Sequence, residues 1–422
     1  MTSRFLPADI LLPRDADLRR WACVACDQYT SQPEYWAEQE AFVGSAPSAL
    51  RLVLPELYLS LPDVSAREQE VLDTMEAYLS GGVFRTVENS FIYVERTQRN
   101  GCLRRGLVGM VDLESYDYAP GSRPPVRATE GTVLSRIPPR LRIRSRAALE
   151  LPHVLLLADD PEDGVLSAAE AAAGEVLYDL DLPGGGGHLR GRRIPAAQAA
   201  PVTAALDALG DPDAFARRYG AAPEELLHLA VGDGNHSLAT AKANYVRLKE
   251  ELGDAALAHP ARYALCEVEN LHDPALVFEP IHRVVFDTDG DGLIRELCRR
   301  TGALPGAGEG QNFSVVRHGT ACEYRFPAPR EPLCVGTLQT ALDELLPLCG
   351  GRIDYVHGED VVRSLTEQSE AVGFLLPAMG KEELFPAVIR GGALPRKTFS
   401  MGEAHDKRFY MEARRISGSD PQ

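Results

Sequence analysis

The sequence predicts an α+β fold of mixed α/β character, with a mixed-sheet N-terminal body and a smaller α/β C-terminal domain. Three observations predict it. Residues 90–118 read as two strands about Asn100-Gly101, a strong hairpin signal. Residues 226–252 read as a strand, a tight turn and a long helix. After residue 287, helical and strand-like runs alternate in short order. The 422 residues suffice for two or three domains, and 45% apolar content is ordinary for a chain with a proper core.

In chain order, ACVAC reads as a strand. Thr30 or Ser31 can cap the helix that follows, with Pro33 in its first turn. Residues 55–62 read as a loop or short strand. Residues 63–81 are helical, with Val71, Leu72, Met75, Tyr78 and Leu79 at helical spacing and Gly81-Gly82 as the stop. Beyond the hairpin comes a run of arginines, Arg123, Arg127, Arg136, Arg140, Arg142 and Arg144, in which PPRLRIR reads as an exposed strand face. HVLLLADD is a buried-looking strand, and GEVLYDLDLPGGGGHLRGRRI reads as two strands around a glycine turn. Residues 196–220 are Ala-rich and helical, and residues 261–286 return to strand character. This organisation gives a body over 1–286, a smaller domain over 287–390, and a basic tail over 391–422 that is too short to fold alone.

Composition sets the function classes. The formal charge is −17 with no Lys/Arg block, which disfavours nucleic acid and anionic membranes as partners. No apolar run reaches the roughly 18 residues of a membrane-spanning helix. The N-terminus lacks the basic head and continuous apolar core of a signal peptide. Eight scattered cysteines fit free thiols in a reducing compartment, so a cytoplasmic location is expected. Cys23 and Cys26 form a lone CxxC without a second pair, and read as two small semi-buried residues.

The densest chemistry lies in Gly232-Asp233-Gly234-Asn235-His236-Ser237, between strand and helix. Glycines let the backbone turn sharply, and the unpaired N–H groups of a helix start attract an anion, usually phosphate. Ser237 and Thr240 can add hydroxyl donors, Asp233 can hold a divalent metal or position an amine, and His236 can donate to phosphate or shuttle a proton. The plainer alternative is an ordinary turn capped by Asn235 or Ser237. No Walker loop is present. A second cluster, Arg127-Ala128-Thr129-Glu130-Gly131-Thr132, offers a carboxylate suited to a general base among arginines suited to an anion. Arg396-Lys397-Thr398 and Ser400 in the tail can clamp a second phosphate. Asp27, Tyr29 and Gln32, and the pair His282-Arg283, are weaker candidates, and His153 reads as structural.

Together, CDQYTSQPEYW, RATEGT followed by RIPPR, ELPH, DGNHSLATAK, PIHR and LPRKTFSMG resemble the bacterial domain of unknown function 1015 family over nearly the whole chain. The family name implies no activity. Other members carry DGHHR where this chain has DGNHS, and that form resembles the signature of the ParB/sulfiredoxin-like superfamily, which includes free-serine kinases. The resemblance implies a ParB-like catalytic unit in the N-terminal body. It also implies phosphoryl transfer to L-serine, with pyrophosphate or ATP as donor and Mg²⁺ as cofactor. By the same resemblance Glu130 is the catalytic carboxylate, His236 and Asp233 join it in catalysis, and Asp233 binds Mg²⁺ or substrate. Asn235 and Ser237 match the phosphate motif; read from the residues themselves, Gly234 joins them at the turn, and Asp27, Tyr29 and Arg283 are the expected substrate contacts. Ser237 stands where relatives have an arginine; Arg127, Arg136, Lys397 and Thr398 are the candidates to supply the missing anion contact, with the tail returning to the site. The expected partners are thus a small-molecule substrate and a phosphate donor. A phosphohydrolase or nucleotidase on the same constellation, or a non-catalytic nucleotide-sensing module, are the alternatives.

Overall fold

The computed structural model describes residues 3–418 apart from residues 31, 60, 152, 368, 369, 396 and 403. Ser31, a cap candidate, and Arg396, a phosphate-clamp candidate, lie outside the described residues, as does Pro152. The chain divides into two compact units, Met1–Leu276 with Glu403–Gln422, and Val277–Gly402. The boundaries at 286/287 and 390/391 therefore fall inside the second unit. The reason is strand pairing: Phe278–Phe286 bonds to Arg352–His357, Val372–Leu375 and Phe399–Met401.

The first unit is built on a mixed sheet. Its order is Val176–Asp181, His188–Pro195, Phe84–Thr97, Leu103–Asp112, Tyr263–Asn270, Leu155–Ala158, Leu229–Asp233, Val126–Ala128 and Tyr116–Asp117, with Phe5–Leu6 and Ala8–Pro13 added at the hairpin. Side chains alternate across a strand, so a strand apolar on every residue can serve two cores. The apolar run at 91–94 within Phe84–Thr97 does so: Phe91 and Tyr93 join one buried cluster, Ile92 and Val94 the other. Each large side chain fully buried in this way contributes roughly 1.5–3 kcal/mol. The hairpin turns at Gly101 with φ 83°, as the Asn-Gly signal requires.

The second unit is an antiparallel sheet ordered Leu304–Pro305, Thr320–Phe326, Gln311–Arg317, Val372–Leu375, Phe278–Phe286 and Arg352–His357. The helices Gly290–Thr301, Cys334–Cys349 and Glu359–Glu367 fall where the periodicity puts them. A further helix, Lys381–Gly391, contains Pro386, which breaks the pattern that would have marked it. No helix among the described residues is long and apolar enough to cross a membrane.

Local readings differ in two places that bear on the site. PPRLRIR is no strand: Ile137–Arg144 is a helix, with proline in its first turn where a missing N–H costs little. The helix Pro33–Val43 has Gln32 rather than Thr30 at its N-cap. The tail is drawn into the first unit by short pairings, Phe409–Tyr410 with Cys23–Val24 and Arg414–Arg415 with Leu149–Glu150.

Candidate functional site

The strand Leu229–Asp233 carries an irregularity between Val231 and Asp233 against Leu155–Ala158. An extra residue there bends the strand and re-aims Asp233. Gly234 follows with φ 79°, and a Cβ on it would meet the Cα of Val154 at 3.0 Å, so glycine alone fits both the backbone and the space. The site helix, Asn235–Leu252, starts directly after it, with no side chain capping its first turn. Its first N–H groups therefore face outward without an intrahelical partner. Neither Asn235 nor Ser237 is the cap.

The strand Val126–Ala128 runs parallel to Leu229–Asp233, with Ala128 opposite Val231. Parallel pairing brings both C-terminal ends to one edge, and with them the loop that carries Glu130. Two bonds pin this loop. Thr129 Oγ1 donates to the Val231 carbonyl at 2.6 Å, and the Val133 N–H donates to His236 Nε2 at 3.2 Å. With Nε2 accepting, a neutral His236 carries its proton on Nδ1. Glu130 is thus bracketed between bonds to the site strand and the site helix. Two oxygens here, Asn235 Oδ1 and Thr132 Oγ1, are buried with no hydrogen-bond partner among the described residues. Buried polar atoms are ordinarily satisfied by protein, water or ligand.

On the other side of the helix start lies a network that the sequence did not assemble. His153 Nδ1 is 2.7 Å from Tyr410 Oη, and its Nε2 is 3.5 Å from both Asp27 Oδ2 and Ser237 Oγ. Tyr410 Oη in turn donates to Cys26 Sγ and accepts from the Cys26 N–H, both at 3.2 Å. Lys407 Nζ is 3.1 Å from Asp233 Oδ2, while Asp233 Oδ1 accepts from the Gly234 N–H. Lys407 reaches this place because arginines hold its backbone. Arg96 donates to the carbonyls of His405, Asp406 and Lys407, and Arg104 donates to that of Asp406.

Burial alone would lower the pKa of His153, but the Asp27 carboxylate outweighs it and, with Asp233, raises it, against an opposing push from Arg408. Asp27 is raised by burial, yet His153, Gln28 and Lys407 together hold it well below the usual carboxylate range. The histidine's folded pKa lies above its unfolded 6.5. Its stabilisation is therefore complete below that value and lost as pH rises through the folded pKa. Asp27 contributes above 3.8 and loses its share as acid titrates it. Melting from about pH 5 to about pH 9 should show native protein weakening across the upper range relative to His153→Gln. Parallel pH profiles for the two proteins would rule out the ion pair. Cys26 is pushed up to about 11 by burial and by Asp27, and all eight cysteines are free thiols.

The remaining candidates are placed as follows. Arg127 is buried, with its guanidinium on the carbonyls of Pro124, Glu225 and Leu226, so it fastens a neighbouring loop. Arg136 is exposed at the start of the helix Ile137–Arg144. Tyr29 stacks on Tyr35 with centroids 3.8 Å apart. Arg283, Lys397 and Thr398 belong to the second unit. There Arg283 is fully buried and donates to Gln339, Ile281 and Lys397, and Thr398 Oγ1 donates to Pro395. Inside the first unit, Lys407 is a cation at the helix start that sequence reading missed. HDKRFY was a legible signal only as part of a basic tail.

A Mg²⁺ site needs several oxygens in octahedral array. Both oxygens of Asp233 are engaged, one by an ammonium group, and no cluster of three or more His, Cys, Asp or Glu suited to a metal occurs among the described residues. These residues do not fit a resident Mg²⁺ at Asp233.

A mixed sheet that ends in a glycine-led helix start, with a lysine beside it, is a fold and site suited to small anions. The family model described as Protein of unknown function (DUF1015) matches residues 7–344, and the chain belongs to that family. No curated protein is significantly similar in sequence. Among solved structures, a free serine kinase in complex with AMP is 12% identical, with a TM-score of 0.39 over 73% of this chain and 90% of that one. SbnI with a C-terminal truncation, from Staphylococcus aureus, is 11% identical, with a TM-score of 0.38 over 70% and 82%. A conserved hypothetical protein from Pyrococcus furiosus is 13% identical, with a TM-score of 0.35 over 73% and 94%.

Proposed function

We propose that the chain is a small-molecule phosphotransferase with an alcohol-group acceptor, forming O-phosphoserine from free L-serine with pyrophosphate or ATP as donor. The observation that carries this reading is the ammonium group of Lys407, 3.1 Å from Asp233, beside an uncapped helix start. A positive side chain beside the N-terminus of a helix suits a transferred phosphoryl group, whose charge must be neutralised in the transition state. Glu130 accepts the proton of the attacking hydroxyl. The oxygen attacks phosphorus, and orthophosphate or ADP leaves. His236 fixes the Glu130 loop against the helix, and Asp233 orients Lys407. The acceptor identity rests on the resemblance of DGNHS to the DGHHR signature. No step here runs through Mg²⁺.

The test is incubation of purified protein with L-serine and either donor, with and without Mg²⁺, read by ³¹P NMR. O-phosphoserine is the expected product. Orthophosphate without it marks a phosphohydrolase, and donor binding without turnover marks a sensing module. Glu130→Gln should lower the rate by about 10²–10⁴, the usual range for a general base. Full activity in both Glu130→Gln and His236→Ala would end this assignment.

A further inference from the structure

The first two turns of the site helix also wall a cavity of about 160 Å³ within the first unit. Val71 and Met75 of the helix Val64–Ser80 and Ile143 of the helix Ile137–Arg144 line it opposite Ala241. These surfaces are apolar. Ser237, His153 and Tyr410 supply a polar patch in the same lining, linked by the contacts described above. Arg144 lines it too, and its buried Nε has no hydrogen-bond partner among the described residues.

An apolar cavity of about 150 Å³ takes a benzene molecule, so this one has room for an apolar group of ring size. A pure hydrocarbon would leave the Ser237 hydroxyl desolvated with only its 3.5 Å contact to His153, much of its hydrogen-bonding capacity unused. A wholly polar molecule would gain nothing from the Met75 and Ile143 walls. The occupant that matches both is amphipathic.

We propose that this cavity binds a small alcohol with a compact apolar body, its hydroxyl toward Ser237 and His153 and its body between Met75, Ile143 and Ala241. The inference goes beyond the phosphotransferase reading: the alcohol is a second ligand of the first unit, not the L-serine acceptor. Binding itself is independent of turnover.

Methyl-detected NMR of the full chain, titrated with benzyl alcohol, toluene and L-serine, tests it. Benzyl alcohol is expected to shift the Met75 methyl signal. Toluene should bind at least about tenfold more weakly, since a site built to pair a hydroxyl rejects the analogue without one. L-serine should leave Met75 unmoved at the same concentration. Ala241→Leu, which fills the cavity from the site helix, should abolish the response. Ala147→Leu does the same from another wall and decides the matter if the first variant does not fold. No response to benzyl alcohol, an equal response to toluene or L-serine, or a response that survives filling overturns the proposal. Benzyl alcohol that binds here while L-serine is not phosphorylated leaves the cavity assignment intact and counts against the phosphotransferase reading alone.

Discussion

Lys407→Met is expected to lower kcat/KM for phosphoryl transfer by about 10²–10³, the usual cost of losing one preorganised charge or donor at a transition state. The side chain is only 12% exposed and stands at 3.1 Å from Asp233, so its charge acts where water screens little. The loss should appear in kcat more than in KM if the ammonium group meets the phosphoryl oxygens chiefly in the transition state. Lys407→Arg retains the charge with a different shape and should fall between the two. Steady-state kinetics with the donor varied reads both. Undiminished turnover in the methionine variant would remove Lys407 from the site and return the anion contact to the backbone.

The second large effect concerns stability. Arg408 Nε lies 2.6 Å from Glu267 Oε2, and its Nη2 lies 2.8 Å from Glu412 Oε2, with all three side chains buried. Burial alone would lower the pKa of Arg408, but Glu412 and Glu267 raise it further above its ordinary value. Arg408→Leu takes the paired cation from two buried carboxylates, and leaves Glu412 with the Tyr178 hydroxyl. Removing one partner of a buried ion pair typically costs about 3–5 kcal/mol. Urea unfolding of the full chain should show that loss in the transition of the first unit. A change under about 1 kcal/mol, the scale of an exposed pair, would mean that the tail is held by its strand pairings instead. Because Lys407 is the preceding residue, phosphate binding should weaken along with stability.

Much of the local structure was legible. The Asn100-Gly101 hairpin, the helix over 63–81 and the alternating elements after 287 follow from turn chemistry and apolar spacing alone. So does the strand–Gly234–helix turn, where φ 79° and the approach of Val154 both demand glycine. PPRLRIR was misread because a short arginine-rich run has no apolar period to decide between helix and strand. The proline in its first turn was the usable signal. Gln32 replaced the expected cap because a preferred capping residue is only a preference, and the helix Pro33–Val43 forms without a side-chain cap bond.

The site divides along the same line. Sequence alone determined the strand–Gly234–helix turn, since a glycine-led helix start is a local object built from consecutive residues. It also singled out Glu130, whose loop the parallel pairing of Ala128 with Val231 brings to the same edge. It could not decide which charges gather there. Arg127 carried the right charge, but its guanidinium is spent on three backbone carbonyls. His153 looked structural until Asp27, Ser237 and Tyr410 closed around it. Lys407 was one base in a basic tail until Arg96 bound its carbonyl, Arg104 bound that of Asp406, and Phe409–Tyr410 paired with Cys23–Val24. Backbone conformation is set by neighbours in the chain, whereas a side chain's electrostatic role is set by neighbours in space, and those came only with the tertiary structure.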